Sequence, residues 1–121
     1  MGILDLFASK PSGKAYTFKN AGSFTGFKKS SLSCRYGQAP KNAAKFVGKD
    51  LTGHSIRFNR DKTTDGRPML AVYLSNVLIG HVWSDTNTYE RITKGWVEEV
   101  CVVVAPGPDV NLYVKLREGA K

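Results

Sequence analysis

The stretch Arg67-Pro-Met-Leu-Ala-Val-Tyr-Leu-Ser-Asn-Val-Leu-Ile-Gly-His-Val-Trp83 decides the fold class. It reads as two apolar strands reversing at Ser75-Asn76, a pair suited to a tight two-residue hairpin turn. Pairing across that turn predicts Leu74 opposite Val77, Val72 opposite Ile79 and Leu70 opposite His81 on one face. The other face then carries Tyr73 with Leu78, Ala71 with Gly80, and Met69 with Val82. Both faces are largely apolar, so the hairpin belongs inside a sheet covered on two sides. Gly80 opposite Ala71 leaves a hole where a second backbone or a barrel corner can come close.

Further alternating segments surround this hairpin. On the N-terminal side, His54-Ser-Ile-Arg-Phe-Asn-Arg60 places Ile56 and Phe58 inward and Arg57 and Asn59 outward. Asp61 to Gly66 is a polar loop. On the C-terminal side, Trp96 to Ala105 is a valine-rich strand, and Pro106-Gly-Pro-Asp109 turns the chain. Val110, Leu112, Val114 and Leu116 then alternate with Asn111, Tyr113, Lys115 and Arg117, which predicts one wet face.

Tyr16 and Phe18 mark a first strand. Ser23 to Gly37, with Gly26 and several serines, reads as irregular. One or two short helices are expected. One runs from Pro40 to Val47 and stops at Gly48; the other is capped within Ser84-Asp-Thr-Asn, passes Tyr89 and Ile92, and ends at Gly95. The sum predicts a mainly β protein of about six strands with one or two short helices, a small barrel or curled sheet of SH3 or OB type. Residues 1–14 read as an N-terminal arm, an apolar stub followed by linker chemistry, and 15–121 as a single β-barrel domain.

The 121 residues carry a formal net charge of +8, distributed unevenly. Residues 1–60 hold eleven Lys/Arg against Asp5 and Asp50, whereas 61–121 hold seven against eight acids. A basic half suits a polyanion; dispersed surface lysines also serve solubility alone. No stretch has the length of a membrane span, and no secretory leader precedes the stub, so a soluble cytoplasmic protein with reduced Cys34 and Cys101 is expected.

Catalytic signatures are not legible. His54 and His81 stand apart from any ligand-spaced cluster, so neither a metal nor another cofactor is expected. Glu98 and Glu99 are adjacent on a strand and point to opposite faces. Cys34 beside Arg35 is a weak candidate for a thiol of lowered pKa. The stronger constellation is cations interleaved with rings: Lys28, Lys29, Arg35 and Tyr36, then Arg57, Arg60, Lys62 and Arg67. Cations for phosphates and rings for bases are what single-strand binding requires.

The middle of the chain resembles the HIRAN domain family. Ile56-Arg-Phe-Asn-Arg60 stands for that family's strand, Asp61 to Arg67 for its loop, then Leu70-Ala-Val-Tyr73, Ile79-Gly-His-Val82, the helix ending at Gly95 and the valine-rich strand, covering about residues 50–104. The resemblance implies a small β-barrel and, as in helicase-associated members, binding of single-stranded DNA, in some cases at its 3′ end. Asp65 matches the family's loop aspartate, whereas Thr64 stands in place of its stacking tyrosine and His81 in place of the aromatic after glycine.

These readings converge on a non-enzymatic nucleic-acid-binding module for single-stranded DNA, with Lys28, Lys29, Arg35, Tyr36, Arg57, Arg60, Lys62, Asp65 and Arg67 as its contacts. The rival is a protein-interaction or assembly module that docks or self-associates through residues 1–8. A small enzyme without a local signature is the third alternative.

Overall fold

The computed structural model describes residues 15–17 and 24–119. Among them are seven strands and two short helices. β1 (Tyr16–Thr17) and β2 (Lys28–Ser31) precede α1 (Ala39–Ala44). β3 (Ser55–Lys62), β4 (Pro68–Leu74) and β5 (Val77–Trp83) form a meander. After α2 (Asn87–Thr93) come β6 (Val97–Ala105) and β7 (Asp109–Leu116). The strands make two antiparallel sheets, ordered β1-β3-β4-β5 and β2-β7-β6. A closed barrel is therefore not formed. Among the described residues, an isolated backbone pair links the sheets: Ser33 and His81 exchange hydrogen bonds of 2.9 and 2.8 Å.

The β4–β5 turn forms as its sequence demands. Ser75 and Asn76 both adopt positive φ, 51° and 67°, the left-handed pair of a type I′ turn whose twist matches the strands. Leu74 pairs with Val77 and Tyr73 with Leu78, as expected. Beyond them a bulge inserts Ile79, so that Val72 meets Gly80, Ala71 meets His81, Leu70 meets Val82 and Met69 meets Trp83. One unpaired residue shifts every later pair and bends the strand, a consequence the hydrophobic pattern alone did not reveal because both faces are apolar.

The expected close approach at Gly80 is present. A Cβ there would lie 3.0 Å from Leu32 Cβ and 3.1 Å from the Ser33 carbonyl oxygen. Gly80 thus lets the end of β2 cross against β5.

Leu70, Val72, Ile79, Val102 and Leu112 are buried in one cluster together with Ile56, Leu74, Val100 and Val114. Inward residues of both sheets therefore share a single core. Full burial of each such aliphatic side chain contributes roughly 1.5–3 kcal/mol.

Four local expectations change. β2 lies within the segment read as irregular; Lys28–Ser31 pairs with β7 despite weak strand propensity, which a partner strand overrides. β3 continues through Asp61 and Lys62, leaving Thr63–Gly66 as the reversal. The first helix spans Ala39–Ala44 rather than reaching Val47, while the second is capped by Thr86, whose Oγ1 accepts from the Tyr89 amide. β7 has no fully wet second face: Asn111 is buried, and Phe24 stacks on Tyr113 at 4.0 Å with the rings 10° from parallel. The stub at 1–8, Phe18 and the rest of the arm lie outside the described residues.

Candidate nucleic-acid interface

Alternation along the β3–β4–β5 meander, with its bulge, places Asp61, Met69 and Trp83 in one cross-strand row and Asn59, Ala71 and His81 in the next, opposite the core-facing Phe58, Val72 and Gly80. In an open sheet this second face would be wet. Here Met69, Ala71 and His81 are buried, because the chain between β2 and α1 crosses over it. Asn42 of α1 anchors that crossing by donating to the Leu78 carbonyl at 2.9 Å. Tyr36 lands edge-on against two rings, His81 and Trp83, each with centroids 5.7 Å away.

Two hollows flank this crossing. One, of about 270 Å³, is lined by Tyr36, Gly37, Asp61 through Thr64, Met69, Leu78 and His81. The other, wider and of about 420 Å³, is lined by Ser31 to Arg35, Trp83 and Pro108. The Ser33–His81 pair contributes one residue to each. Just before β4 and beside the end of β5, the Arg67 guanidinium sits 3.9 Å over the Trp83 ring and 3.2 Å from Asp85 Oδ2. The ion pair is surface-exposed and adds little energy; the cation on the indole face does more to hold Arg67 in place.

His81 is the unusual group. Its side chain is 3% exposed, its Nδ1 is buried without a hydrogen bond, and Nε2 stands 3.8 Å from Asp61 Oδ2. Burial pushes its pKa below the ordinary 6.5, with the Asp61 charge opposing that shift. The ring is therefore neutral near pH 7. An orphaned lone pair is more readily tolerated in a protein interior than an orphaned N–H. This favours the tautomer that carries its proton on Nε2, the nitrogen nearer Asp61. Oδ1 of Asp61 accepts from the Lys62 amide at 2.8 Å.

The structure brings together Arg35, Tyr36, Lys62 and Arg67 of the residues expected from sequence. Asp65 lies beside them but is occupied: its carboxylate accepts from the Thr63 hydroxyl, an interaction that also holds its pKa low. Thr63 Oγ1 in turn accepts from the Arg67 amide at 2.9 Å. Asp65 thus shapes the turn that presents Arg67.

The remaining cations lie elsewhere. Arg57 is opposite Tyr73, four residues and about 13 Å along β3 from Asp61. Arg60 donates to the Tyr89 hydroxyl of α2 at 3.5 Å. Lys28 and Lys29 sit on β2 opposite Val114 and Tyr113 in the second sheet. Cys34 does not gain a lowered pKa from Arg35; burial raises it, and its Sγ contacts the Ile79 carbonyl at 3.5 Å.

Trp83, His81 and Asp61 were not singled out by the cation-and-ring reading. The available signal was the period of two linking His81 to Trp83, which places both on the face that Tyr36 covers. Among the described residues no group of three or more His, Cys, Asp or Glu is placed to hold a metal ion, and no helix is long and apolar enough to cross a membrane. No protein-family model matches the chain, and no curated protein or solved structure matches it.

Proposed function

We propose that this protein is a non-enzymatic module that binds single-stranded nucleic acid, DNA in particular, along the rim where Arg35, Tyr36, Lys62, Arg67 and Trp83 meet. The carrying observation is the stack of the Arg67 guanidinium on Trp83 at 3.9 Å with Tyr36 edge-on to the same indole. A base can lie on the outer plane of the guanidinium or take its place on the indole; both surfaces accept any base because every base has a π face. Arg35 and Lys62 flank this platform, one on each hollow, within reach of a backbone passing over it. The net charge of +8 supports attraction to such a backbone at a distance.

A HIRAN-like domain is the fold reading that accompanies this proposal. On this reading the two sheets are an SH3- or OB-like barrel that has opened, with the Ser33–His81 pair as a seam between them. The wider basic set, Lys28, Lys29, Arg57 and Arg60, then acts by long-range attraction rather than by direct stacking or pocket contacts.

The test is titration of labelled single- and double-stranded oligonucleotides across a salt series, with Trp83→Ala and Tyr36→Ala beside the unmodified protein. Single-strand affinity is expected to fall with salt and to drop with each ring removed. Absence of any oligonucleotide binding at low salt would overturn the reading and leave the assembly module in front.

A further inference from the structure

The hollow of about 270 Å³ is smaller than a pocket for a drug-sized ligand, typically about 300–1,000 Å³, and suits a single ring system. Its chemistry is divided. Met69, Leu78 and the Tyr36 ring supply apolar surface for the faces of a flat ligand. Its polar side includes Asp61, whose Oδ2 faces His81, and the His81 ring, whose favoured tautomer carries its proton on Nε2. An acceptor-rich carboxylate beside one N–H donor is a specific demand on the edge of whatever enters.

We propose that this hollow selects an unpaired guanine, the Asp61 carboxylate accepting from N1–H and the N2 amino group while His81 Nε2–H donates to O6. Guanine alone among the common bases presents two adjacent donors beside a carbonyl acceptor on its pairing edge. Adenine and cytosine each offer an amino group next to a ring lone pair, which would face carboxylate charge. Thymine and uracil place their single N–H between two carbonyl oxygens. Oδ1 already accepts from the Lys62 amide but retains a second lone pair, so both carboxylate oxygens can serve.

The ring shared by the two sites is Tyr36, which touches Trp83 on the stacking platform and lines the hollow as well. A strand lying on the platform can therefore turn one base inward. The preference for a base within a strand rests on the nucleic-acid reading. The pocket chemistry does not, because a free nucleoside would carry the same edge.

The experiment measures fluorescence anisotropy of a short labelled thymidine strand and of the same strand with one internal guanine. In parallel, guanosine and thymidine are titrated by calorimetry against the unmodified protein, Asp61→Asn and Lys62→Ala. The guanine-bearing strand is expected to bind roughly tenfold or more tightly, the size of a good bidentate base contact. In Asp61→Asn the ratio between the two strands should fall to about one, since the amide replaces an acceptor with a donor. Lys62→Ala should weaken both strands and leave their ratio intact, because a phosphate contact carries no base information.

Equal affinity of the two strands for the unmodified protein would overturn the guanine assignment while leaving strand binding in place. If neither strand binds but guanosine binds in an Asp61-dependent way, the pocket assignment holds and the strand reading falls. Failure of guanosine and of both strands would overturn both.

Discussion

Ser33 and His81 exchange both of their backbone hydrogen bonds, at 2.9 and 2.8 Å, and in doing so tie the β2 end of one sheet to the β5 edge of the other. The same pair lies between the two hollows, each residue lining one of them. Architecture and candidate site are therefore coupled through this contact, which depends on the missing side chain at Gly80.

That dependence is testable. In Gly80→Ala the new methyl would lie 3.0 Å from Leu32 Cβ and 3.1 Å from the Ser33 carbonyl oxygen, so the β2 end must move away. Overpacking of this kind typically costs about 1–3 kcal/mol. A urea midpoint unchanged from the unmodified protein would refute the close crossing.

Stability should depend on pH through His81. Its folded pKa lies below the unfolded value near 6.5, so the unfolded chain binds a proton more readily than the native one. Its contribution is thus fully present above about pH 6.5 and is lost as pH falls from there through the folded pKa. Denaturant midpoints should decline on going from pH 7.5 toward pH 5, and His81→Gln should flatten that part of the profile. A midpoint that rises on acidification through this window would contradict the assigned direction.

The cap of α2 offers a local check. Thr86 Oγ1 accepts from the Tyr89 amide at 3.2 Å and donates to the Trp83 carbonyl at 2.7 Å. Thr86→Ala should cost about 0.5–2 kcal/mol, whereas Thr86→Ser should restore most of it. Thermal unfolding of the two variants separates capping from the loss of a methyl group.

For the proposed binding rim, the salt dependence counts phosphates. On a single strand the log–log slope should be about 0.7 for each phosphate neutralised. Arg35→Ala should lower that slope by about one such increment. Trp83→Ala should instead reduce affinity at every salt concentration by about 1–3 kcal/mol with little change of slope, as loss of a stacking surface does. Identical slopes for Arg35→Ala and the unmodified protein would remove Arg35 from the interface.

Much of the fold was legible because it follows from period-two patterning and turn chemistry, both local properties. Ser75-Asn76 specified the reversal, Ile56 and Phe58 the inner face of β3, and the alternation Val110–Val114 the inner face of β7, since each depends on neighbours within a few residues. Lys28–Ser31 gave no strand signal because its extended form is stabilised by β7, some eighty positions away: Ser31 Oγ donates to Asn111 Oδ1 at 3.3 Å, and the four strand residues pair with Asn111–Val114.

The site divides in the same way. Arg35, Tyr36, Lys62 and Arg67 were visible as residue types suited to phosphates and bases, and the sequence by itself determined that such groups are present on a basic chain. Which of them meet was decided only in three dimensions. The bulge at Ile79 sets His81 and Trp83 beneath Tyr36, and the crossing over Gly80 brings the β2–α1 segment down onto them. Lys28 and Arg60, equal to Arg67 in chemistry, fall away because sheet and face assign them to other surfaces, and Arg57 because it lies about 13 Å further along β3. Charge and ring are properties of a residue; a binding surface is a property of distances between residues remote in sequence, which only the closed packing of the two sheets supplies.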